Sequence, residues 1–216
     1  MAGGTPYESD LHEADRFLNH LEWYEGKVPI VNTSDSHCRL SLAEVEQLQR
    51  DGFLVPLPKD VLPKGVVRMF TILEAMRADP RRRVLNWPFT VNQYENPEMF
   101  TIKVPRSSEV RYAVWEGHYG YSIDVQAAFN QIAPDPIVCA SYYAVSTSKG
   151  WMYWNRLCMG CRPACRICQR MVELIGSACE VPPRVYIDGM CGISNSVEVL
   201  TRDLDTIRTR AGLINL

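Results

Sequence analysis

Two short runs in which residues alternate as in a β-strand, each ending at an aspartate, constrain the possible fold of this chain more than any other feature of the sequence. In the run YSID (121–124), strand alternation puts Ser122 and Asp124 on one face, and the run VYID (185–188) ends in the same way at Asp188. Neighbouring strands with these ends would aim both carboxylates at one site. Mg²⁺ prefers such hard oxygen ligands, and two ions held there can activate a hydroxyl and neutralise phosphate charge. The runs therefore predict a site for divalent cations, of the kind that nucleotidyl transfer needs.

The composition of the chain limits the classes of protein to which it can belong. The chain has 216 residues, of which 46% are apolar, so it can bury a substantial core. Its formal net charge of −2 means that any nucleic-acid binding must use local basic patches, of which Arg81 to Arg83 is the densest. The N-terminus lacks the pattern of a signal peptide, and no stretch approaches about 20 apolar residues. We expect a soluble intracellular protein, of the cytoplasm or nucleus, with no membrane partner.

Several elements before Asp124 can be predicted from local patterns. Ser41 to Glu44 has the spacing of a capping box, and the apolar positions that follow favour a short helix that ends at Asp51-Gly52. The β-branched runs 66–76 and 81–87 predict a hairpin with a basic tip. Alternation from Val110 to Ile123 predicts a strand that leads to Asp124 and then a helix.

In the second half of the chain, the sequence pattern predicts strands that alternate with helices. Two strands around Ser148 to Gly150 are predicted within 137–157, followed by a helix over 166–179. A short strand over 184–187 leads to Asp188-Gly189, which we place at a hairpin turn. Helical spacing then continues from Val197 towards Ala211.

Three motifs in order resemble those of reverse transcriptases. YSIDVQAAFNQI (121–132) resembles the first palm motif, an aspartate followed by small residues and an aromatic one. CMGCRPACRICQR (158–170) resembles the segment that usually reads Pro-Phe-Gly-x-x-x-Ala-Pro-x-x-Phe-Gln-Arg. VYIDG (185–189) resembles the Tyr-x-Asp-Asp hairpin in a Tyr-Ile-Asp-Gly variant, built from Tyr186 and Gly189. The resemblance covers about residues 42–216, and it looks closest to the enzymes of retrotransposon-like elements.

The resemblance implies an α+β fold, a polymerase palm of antiparallel strands backed by helices, with a fingers region. In this interpretation residues 1–41 are an N-terminal extension, 42–120 are fingers and 121–216 are palm, with 132–157 returning to the fingers. In the same interpretation we expect no thumb within these residues. The resemblance also implies that further domains, such as a thumb and an RNase H, belong to a longer polyprotein.

The same resemblance implies roles for particular residues. Asp124 and Asp188, with the main-chain carbonyl of Val125, would hold Mg²⁺ or Mn²⁺ for RNA-directed DNA synthesis. Phe129 would be a steric gate that excludes the 2′-hydroxyl of the incoming nucleotide. The partners would be an RNA or DNA template with its primer, and a dNTP. The nucleotide would also be bordered or bound by Met159, Gly160, Gln169, Arg82 and Arg83, with Gln169 supporting the loop of Met159 and Gly160.

Departures from the family pattern leave a second hypothesis open. Gly189 stands where the hairpin usually has a second aspartate, and Cys158, Cys165 and Cys168 replace the usual Pro, Pro and Phe. Losing a carboxylate weakens a cation site. The alternative is a catalytically degenerate palm that acts as a nucleic-acid or protein binding module.

The cysteines support a third hypothesis, a Zn or Fe–S protein. They form two Cys-x-x-Cys pairs, and thiolates select these metals. The loop between the pairs is much shorter than zinc sites normally use, and too few residues follow for a radical-SAM barrel. On a helix the cysteines would share one face and pack as buried thiols against the palm sheet. The four positions are Cys158, Cys161, Cys165 and Cys168.

Each motif also has a purely structural interpretation. Asp188-Gly189 is a strong signal for an ordinary surface turn, and Asp124 before a helix could be an N-cap. Arg81 to Arg83 could be a solvated turn, and Phe129 could be a core residue. The joint occurrence of the motifs at family spacing is what favours the polymerase hypothesis.

Overall fold

The structure is a computed structural model and describes residues 38–75, 81–93 and 101–213. Most of the predicted N-terminal extension and the centre of the predicted basic hairpin tip lie outside these residues. The described residues form two units, which are treated separately. We name them the arginine unit (38–75, 81–93 and 132–164) and the aspartate unit (101–131 and 165–213). The division of the chain into fingers and palm stays a prediction.

The arginine unit begins with the predicted helix, α1 (Leu42–Arg50). The hydroxyl of Ser41 accepts a hydrogen bond from the backbone of Glu44 at 3.3 Å, and the Glu44 carboxylate accepts one from the backbone of Ser41 at 2.8 Å. Val45 is completely buried beneath the helix. This capping box and helix are confirmed.

Two sheets form most of the arginine unit. The predicted hairpin is confirmed as β2 (Arg68–Glu74) and β3 (Arg81–Trp87), which pair antiparallel. The second sheet has the antiparallel order β1-β6-β5, where β1 is Leu54–Pro56, β5 is Ala144–Thr147 and β6 is Gly150–Trp154. A short helix, α2 (Phe89–Asn92), follows β3.

One correction concerns the start of the segment 137–157. Its first part is not strand but helix, α5 (Pro136–Tyr142), and the strand begins only at Ala144. The Asp135 carboxylate caps this helix by accepting a hydrogen bond from the Ile137 amide at 2.6 Å, and proline occupies the first turn. Both features are local signals for the start of a helix. The strand was predicted in spite of them because the segment that follows is strongly apolar.

The aspartate unit is built on a three-stranded antiparallel sheet of order β4-β8-β7. Its strands are β4 (Tyr119–Asp124), β7 (Arg184–Tyr186) and β8 (Gly189–Ser194). Two helices, α6 (Ala164–Gly176) and α7 (Val197–Leu213), supply the apolar side chains that cover it. Both agree with the predicted helices. The shared core contains Val172, Ile175, Cys179, Val185, Met190 and Ile207, with Tyr121 and Ile123 packed against it.

A second correction concerns the strand predicted over 110–123. Residues Ser107–Glu116 form helix α3, and β4 begins only at Tyr119. None of the side chains of α3 is buried. Its β-branched and aromatic residues at the alternate positions 110, 112 and 114 are typical of a strand, which is why a strand was predicted. After Asp124 comes the short helix α4 (Ala128–Gln131), as expected.

The mixture of helices and antiparallel sheets confirms the α+β fold class. Among the residues that the structure describes, no helix combines the length and the apolar character that crossing a membrane requires.

Candidate active site

The structure brings Asp124 and Asp188 to one end of the sheet of the aspartate unit. Asp124 is the last residue of β4 and pairs with Gly189, the residue after Asp188. The amide of Val125 donates a hydrogen bond to the carbonyl oxygen of Asp188 at 3.0 Å. The two aspartates therefore lie close along the backbone, as the motifs predicted.

The route by which they meet differs from the prediction. The strand that leads to Asp188 is β7, and β8 separates it from β4. Asp188 approaches Asp124 because it lies in the turn between β7 and β8, not because its own strand is a neighbour of β4. The prediction that the two strands ending at the aspartates are adjacent is wrong.

The turn itself is built from Ile187 and Asp188, since Tyr186 pairs with Gly189. It lies one residue earlier than predicted. Ile187 has φ 56°, and a β-branched residue in this region is a genuine outlier that costs on the order of 1–3 kcal/mol. The Gln169 side chain supports the turn, because its carbonyl oxygen accepts a hydrogen bond from the Ile187 amide at 3.4 Å.

One structural interpretation does not hold, because helix α4 begins at Ala128 and Asp124 is therefore not its N-cap. Asp188 and Gly189 are not the central pair of the turn, so the turn is not of the Asp-Gly type. That the turn holds a metal stays a prediction. Asp124 is exposed and Asp188 is partly buried, which leaves both carboxylates available to a ligand.

The backbone at Gly189 has room for a side chain. A Cβ built there would lie 3.6 Å from the carbonyl oxygen of Tyr186 and 3.8 Å from that of Ile123, which are ordinary van der Waals distances. Among the described glycines, positive φ angles occur at Gly52 and Gly150, not at Gly189. The absence of a second carboxylate in the hairpin is therefore not required by the fold.

The donors at this end of the sheet suit a hard divalent cation. Two carboxylates lie beside backbone carbonyl groups, and Mg²⁺ commonly binds one or two carboxylates and completes its shell with water and substrate phosphates. Within the described ranges, no group of three or more His, Cys, Asp or Glu side chains is arranged to hold a metal.

Two thiols of α6 lie near Asp188. Burial, and secondarily the Asp188 carboxylate, raise the pKa of Cys165, and the same causes raise the pKa of Cys168 to about 12. Both thiols therefore stay protonated near neutral pH. Cys158 and Cys161 precede α6, so the prediction that the four cysteines share one helix face is wrong.

Phe129, the predicted steric gate, lies on α4 in the aspartate unit. Its side chain is only 8% exposed, so it contributes to the core, as the structural interpretation expected. Ala127, two residues before it, has φ 53°, a conformation that an alanine rarely adopts. The gate role stays a prediction.

Met159 and Gly160 belong to the arginine unit, where Asn92 holds their loop. The Asn92 amide donates to the carbonyl oxygen of Gly160 at 2.7 Å, and its oxygen accepts from the Arg162 amide at 3.2 Å. A Cβ at Gly160 would lie 2.5 Å from the carbonyl oxygen of Asn86, so only glycine fits this approach to β3. Close packing explains this glycine independently of any nucleotide.

Arg82 and Arg83 are both placed on strand β3, not on a turn. Arg82 donates to the Glu44 carboxylate at 2.9 Å and to the Thr71 hydroxyl at 2.5 Å, and Arg83 donates to Glu74 at 3.3 Å. The Arg82 side chain remains 61% exposed. Such surface ion pairs contribute little, so a phosphate could compete for these guanidinium groups.

Some residues at the site could not be found from the sequence. The amide group of Gln169 donates to the carbonyl oxygen of Lys103 at 2.7 Å and to Glu173 at 2.9 Å, which ties the segment before α3 to the aspartate turn. The family resemblance implied a different role for Gln169, the support of the loop of Met159 and Gly160. Nothing local to Lys103 or Asn92 signals these contacts, because they join positions more than sixty residues apart.

Comparisons with known proteins support the fold. No protein-family model matches this chain, and no curated protein sequence matches it. Solved structures of prototype foamy virus protease-reverse transcriptase do match. The native enzyme has a TM-score of 0.60 at 15% identity, covering 79% of this chain and 21% of that chain.

Two further structures of the foamy viral enzyme agree. One, in complex with double-stranded DNA, has a TM-score of 0.58 at 13% identity, covering 87% of this chain and 34% of that chain. A selenomethionine-labelled mutant has a TM-score of 0.60 at 11% identity, covering 99% of this chain and 32% of that chain. This chain therefore spans between about a fifth and a third of those proteins. At such low identity the likeness shows a fold like that of a reverse transcriptase and nothing finer.

Proposed function

We propose that this chain is the fingers and palm of a reverse-transcriptase-like polymerase that transfers nucleotides to a primer under the direction of a template. The observation that carries the proposal is the register of β4 against the aspartate hairpin, which puts Asp124 opposite Gly189 and next to the backbone of Asp188. The fold in which this register occurs is like that of solved reverse transcriptases.

In this proposal Asp124 and Asp188, with the carbonyl oxygen of Val125, hold two divalent ions, Mg²⁺ or Mn²⁺. Bound there, the ions would lower the pKa of the primer 3′-hydroxyl and neutralise charge on the phosphates. The carboxylates supply negative charge at a partly exposed edge of the sheet, where a primer end and a nucleotide triphosphate can reach them. Tyr186, which is exposed beside the turn, would border the primer.

The remaining roles follow from the same proposal. Phe129 would limit the space beside the sugar, and Met159 and Gly160 would border the nucleotide. Arg82 and Arg83 would exchange their surface ion pairs for the triphosphate. A template with its primer fits the complex with double-stranded DNA of one foamy virus enzyme. A retrotransposon-like parent with additional domains, such as a thumb and an RNase H, is part of the proposal.

The test combines metal binding with primer extension. We expect Mn²⁺ to bind the chain, as followed by electron paramagnetic resonance, and primed RNA and DNA templates to be extended with dNTPs. Asp124→Asn should abolish extension and weaken Mn²⁺ binding. Asp205→Asn removes an exposed carboxylate from α7 and is the matched control that should change neither. Unaltered Mn²⁺ binding in Asp124→Asn would refute the proposed metal centre.

Gly189 favours a second candidate, a palm that binds nucleic acid or a protein partner without catalysis. The hairpin has one carboxylate fewer than the motif it resembles, although the backbone has room for it. This candidate predicts primed-template binding without extension under any divalent ion. The third hypothesis is a cysteine-ligated metal protein. In the described part of the chain, no group of three or more His, Cys, Asp or Glu side chains is placed to hold a metal.

A further inference from the structure

One carboxylate joins the first helix of the arginine unit to strand β3. Oε1 of Glu44, on α1, accepts a hydrogen bond from Nε of Arg82 at 2.9 Å, between positions thirty-eight residues apart. The side chain of Glu44 is 24% exposed and that of Arg82 is 61% exposed. The contact therefore lies at the surface, where a dissolved anion can reach the guanidinium group.

The capping box of α1 fixes the Glu44 carboxylate in this position. Its second oxygen, Oε2, accepts hydrogen bonds from the backbone amide and from the hydroxyl of Ser41, both at 2.8 Å. The bond from the Ser41 backbone, with a smaller contribution from Arg82, lowers the pKa of Glu44. The carboxylate is therefore charged near neutral pH. It cannot turn away from Arg82 without disturbing the cap of the helix.

The guanidinium group of Arg82 keeps donors for a further ligand. Its Nε donates to Glu44, and its Nη2 donates to the hydroxyl of Thr71 at 2.5 Å. A guanidinium group has five N–H donors, so these two bonds to described residues leave three. A phosphate can use those three donors while Glu44 stays in contact with Nε. The phosphate and the carboxylate would then share one cation.

We infer that Glu44 is an internal competitor of the triphosphate at Arg82. A phosphate either displaces Glu44 from the guanidinium group or binds beside it. The first route breaks an ion pair, and the second brings two negative groups to one positive one, so both weaken phosphate binding. The inference concerns the regulation of the proposed site, and it rests on the proposed function for the presence of a triphosphate.

Isothermal titration calorimetry of the whole chain with tripolyphosphate tests the inference. The titration uses low salt and EDTA, so that no metal ion links the ligand to Asp124 or Asp188. Glu44→Gln removes the charge but keeps the capping box, in which glutamine serves as well as glutamate. It should lower Kd about fivefold, the effect of one unit charge at about 4 Å in water. Arg82→Gln should raise Kd.

Two controls separate this contact from the net charge of the chain. Glu46→Gln is the matched variant, because Glu46 lies on the same helix and pairs with Lys149 at 3.5 Å. It changes the net charge by the same amount and should leave Kd unchanged. In a chain that already carries Arg82→Gln, the change Glu44→Gln should have no effect, because the shared cation is gone.

Four results would overturn the inference. Glu44→Gln leaves Kd unchanged or raises it, or Glu46→Gln lowers Kd as much, or the gain persists without Arg82. The fourth is that neither the natural chain nor Glu44→Gln binds tripolyphosphate at low salt. Urea unfolding checks that the variants fold. The metal centre of the proposed function is tested apart from this, since Mn²⁺ binding by Asp124→Asn decides it whatever the tripolyphosphate titrations give.

Discussion

The amide nitrogen of Val125 donates to the carbonyl oxygen of Asp188 across 3.0 Å, one residue beyond the last pair of β4 and β8. This bond continues the backbone ladder past the end of the strand and into the hairpin turn. It uses no side-chain atom, so a substitution of either carboxylate leaves it intact. Loss of metal binding in Asp124→Asn or Asp188→Asn would therefore report the missing charge rather than a displaced turn.

The first prediction concerns Gln169, whose side chain connects Lys103, Glu173 and Ile187. Gln169→Ala removes the hydrogen bonds of a buried side chain, which costs about 2 kcal/mol of the free energy of unfolding. Urea unfolding measures this. Gln47→Ala, on the exposed face of α1, should change stability by no more than about 0.5 kcal/mol. An equally small effect at Gln169 would show that these hydrogen bonds do not stabilise the unit.

The second prediction concerns Gly192, which pairs across the sheet with Tyr121. A Cβ at Gly192 would lie 2.3 Å from Cε1 of the Tyr121 ring, so the ring has to move out of the core that it covers. We expect Gly192→Ala to destabilise the chain by about 1–3 kcal/mol. Thermal unfolding checks it.

The same substitution elsewhere provides the control. A Cβ at Gly212, in helix α7, meets nothing within 4 Å. Alanine has the higher helix propensity, so Gly212→Ala should raise stability by up to about 1 kcal/mol. If both variants shift the melting temperature in the same direction, the contact between Gly192 and the Tyr121 ring is not what decides stability.

The third prediction is a pH dependence that originates at Cys139. This thiol on α5 is completely buried, and burial raises its pKa from 9.0 to about 12, with Asp135 adding to the shift and Arg156 opposing it. Above pH 9 the unfolded chain releases this proton while the folded chain retains it. The contribution of the thiol to stability is therefore fully present below pH 9 and is lost as pH rises towards 12, by about 1.4 kcal/mol per pH unit.

Cys139→Ala removes this titration. The difference in unfolding free energy between the natural chain and the variant should shrink as urea unfolding is repeated at rising pH above the ordinary thiol pKa. Val138→Ala, a buried change on the same helix without a titrating group, should keep a constant difference. A constant difference for Cys139→Ala as well would mean that the folded thiol ionises like a free one.

Local patterns in the sequence predicted those elements whose end signals and apolar spacing agree with one another. The capping box of α1, the hairpin of β2 and β3 and the spacing in α7 all agree with the structure. Helix α3 was predicted as strand because its β-branched and aromatic residues alternate as in a strand. Helix α5 was predicted as strand because the apolar residues after Asp135 outweighed the N-cap signal at that position.

That Asp124 and Asp188 lie close together could be predicted from the sequence, but the geometry by which they meet could not. The motifs around Asp124 and Asp188 indicated that both belong to one site. That β8 lies between their strands depends on hairpin pairing, which a two-residue alternation does not determine. Gln169 supports the turn through a hydrogen bond between positions eighteen residues apart, and no periodic pattern in the sequence predicts such a contact.

The last prediction concerns Gly189, because it decides between an enzyme and a binding module. With Asp124 and Asp188 as the two carboxylates of the proposed site, Mg²⁺ affinity should limit nucleotide transfer. Since a Cβ at Gly189 meets only ordinary contacts and the residue needs no positive φ, an aspartate fits the hairpin backbone. In a longer protein that also carries a thumb, Gly189→Asp should lower the half-saturating Mg²⁺ concentration for primer extension about tenfold.

Two further variants separate charge from conformation. Gly189→Ala tests whether the hairpin accepts any side chain, and Gly189→Asn adds the same shape as aspartate without its charge. Both should fold as stably as the natural chain and leave Mg²⁺ dependence unchanged, since neither adds a carboxylate. If Gly189→Asn improves extension as much as Gly189→Asp, the gain comes from ordering the turn and not from the metal.

If Gly189→Asp is stable, binds Mn²⁺ more tightly and still extends no primer with Mg²⁺ or Mn²⁺, the missing carboxylate is not what prevents catalysis. The non-catalytic palm then becomes the better account, because its hairpin can hold a cation without supporting the reaction.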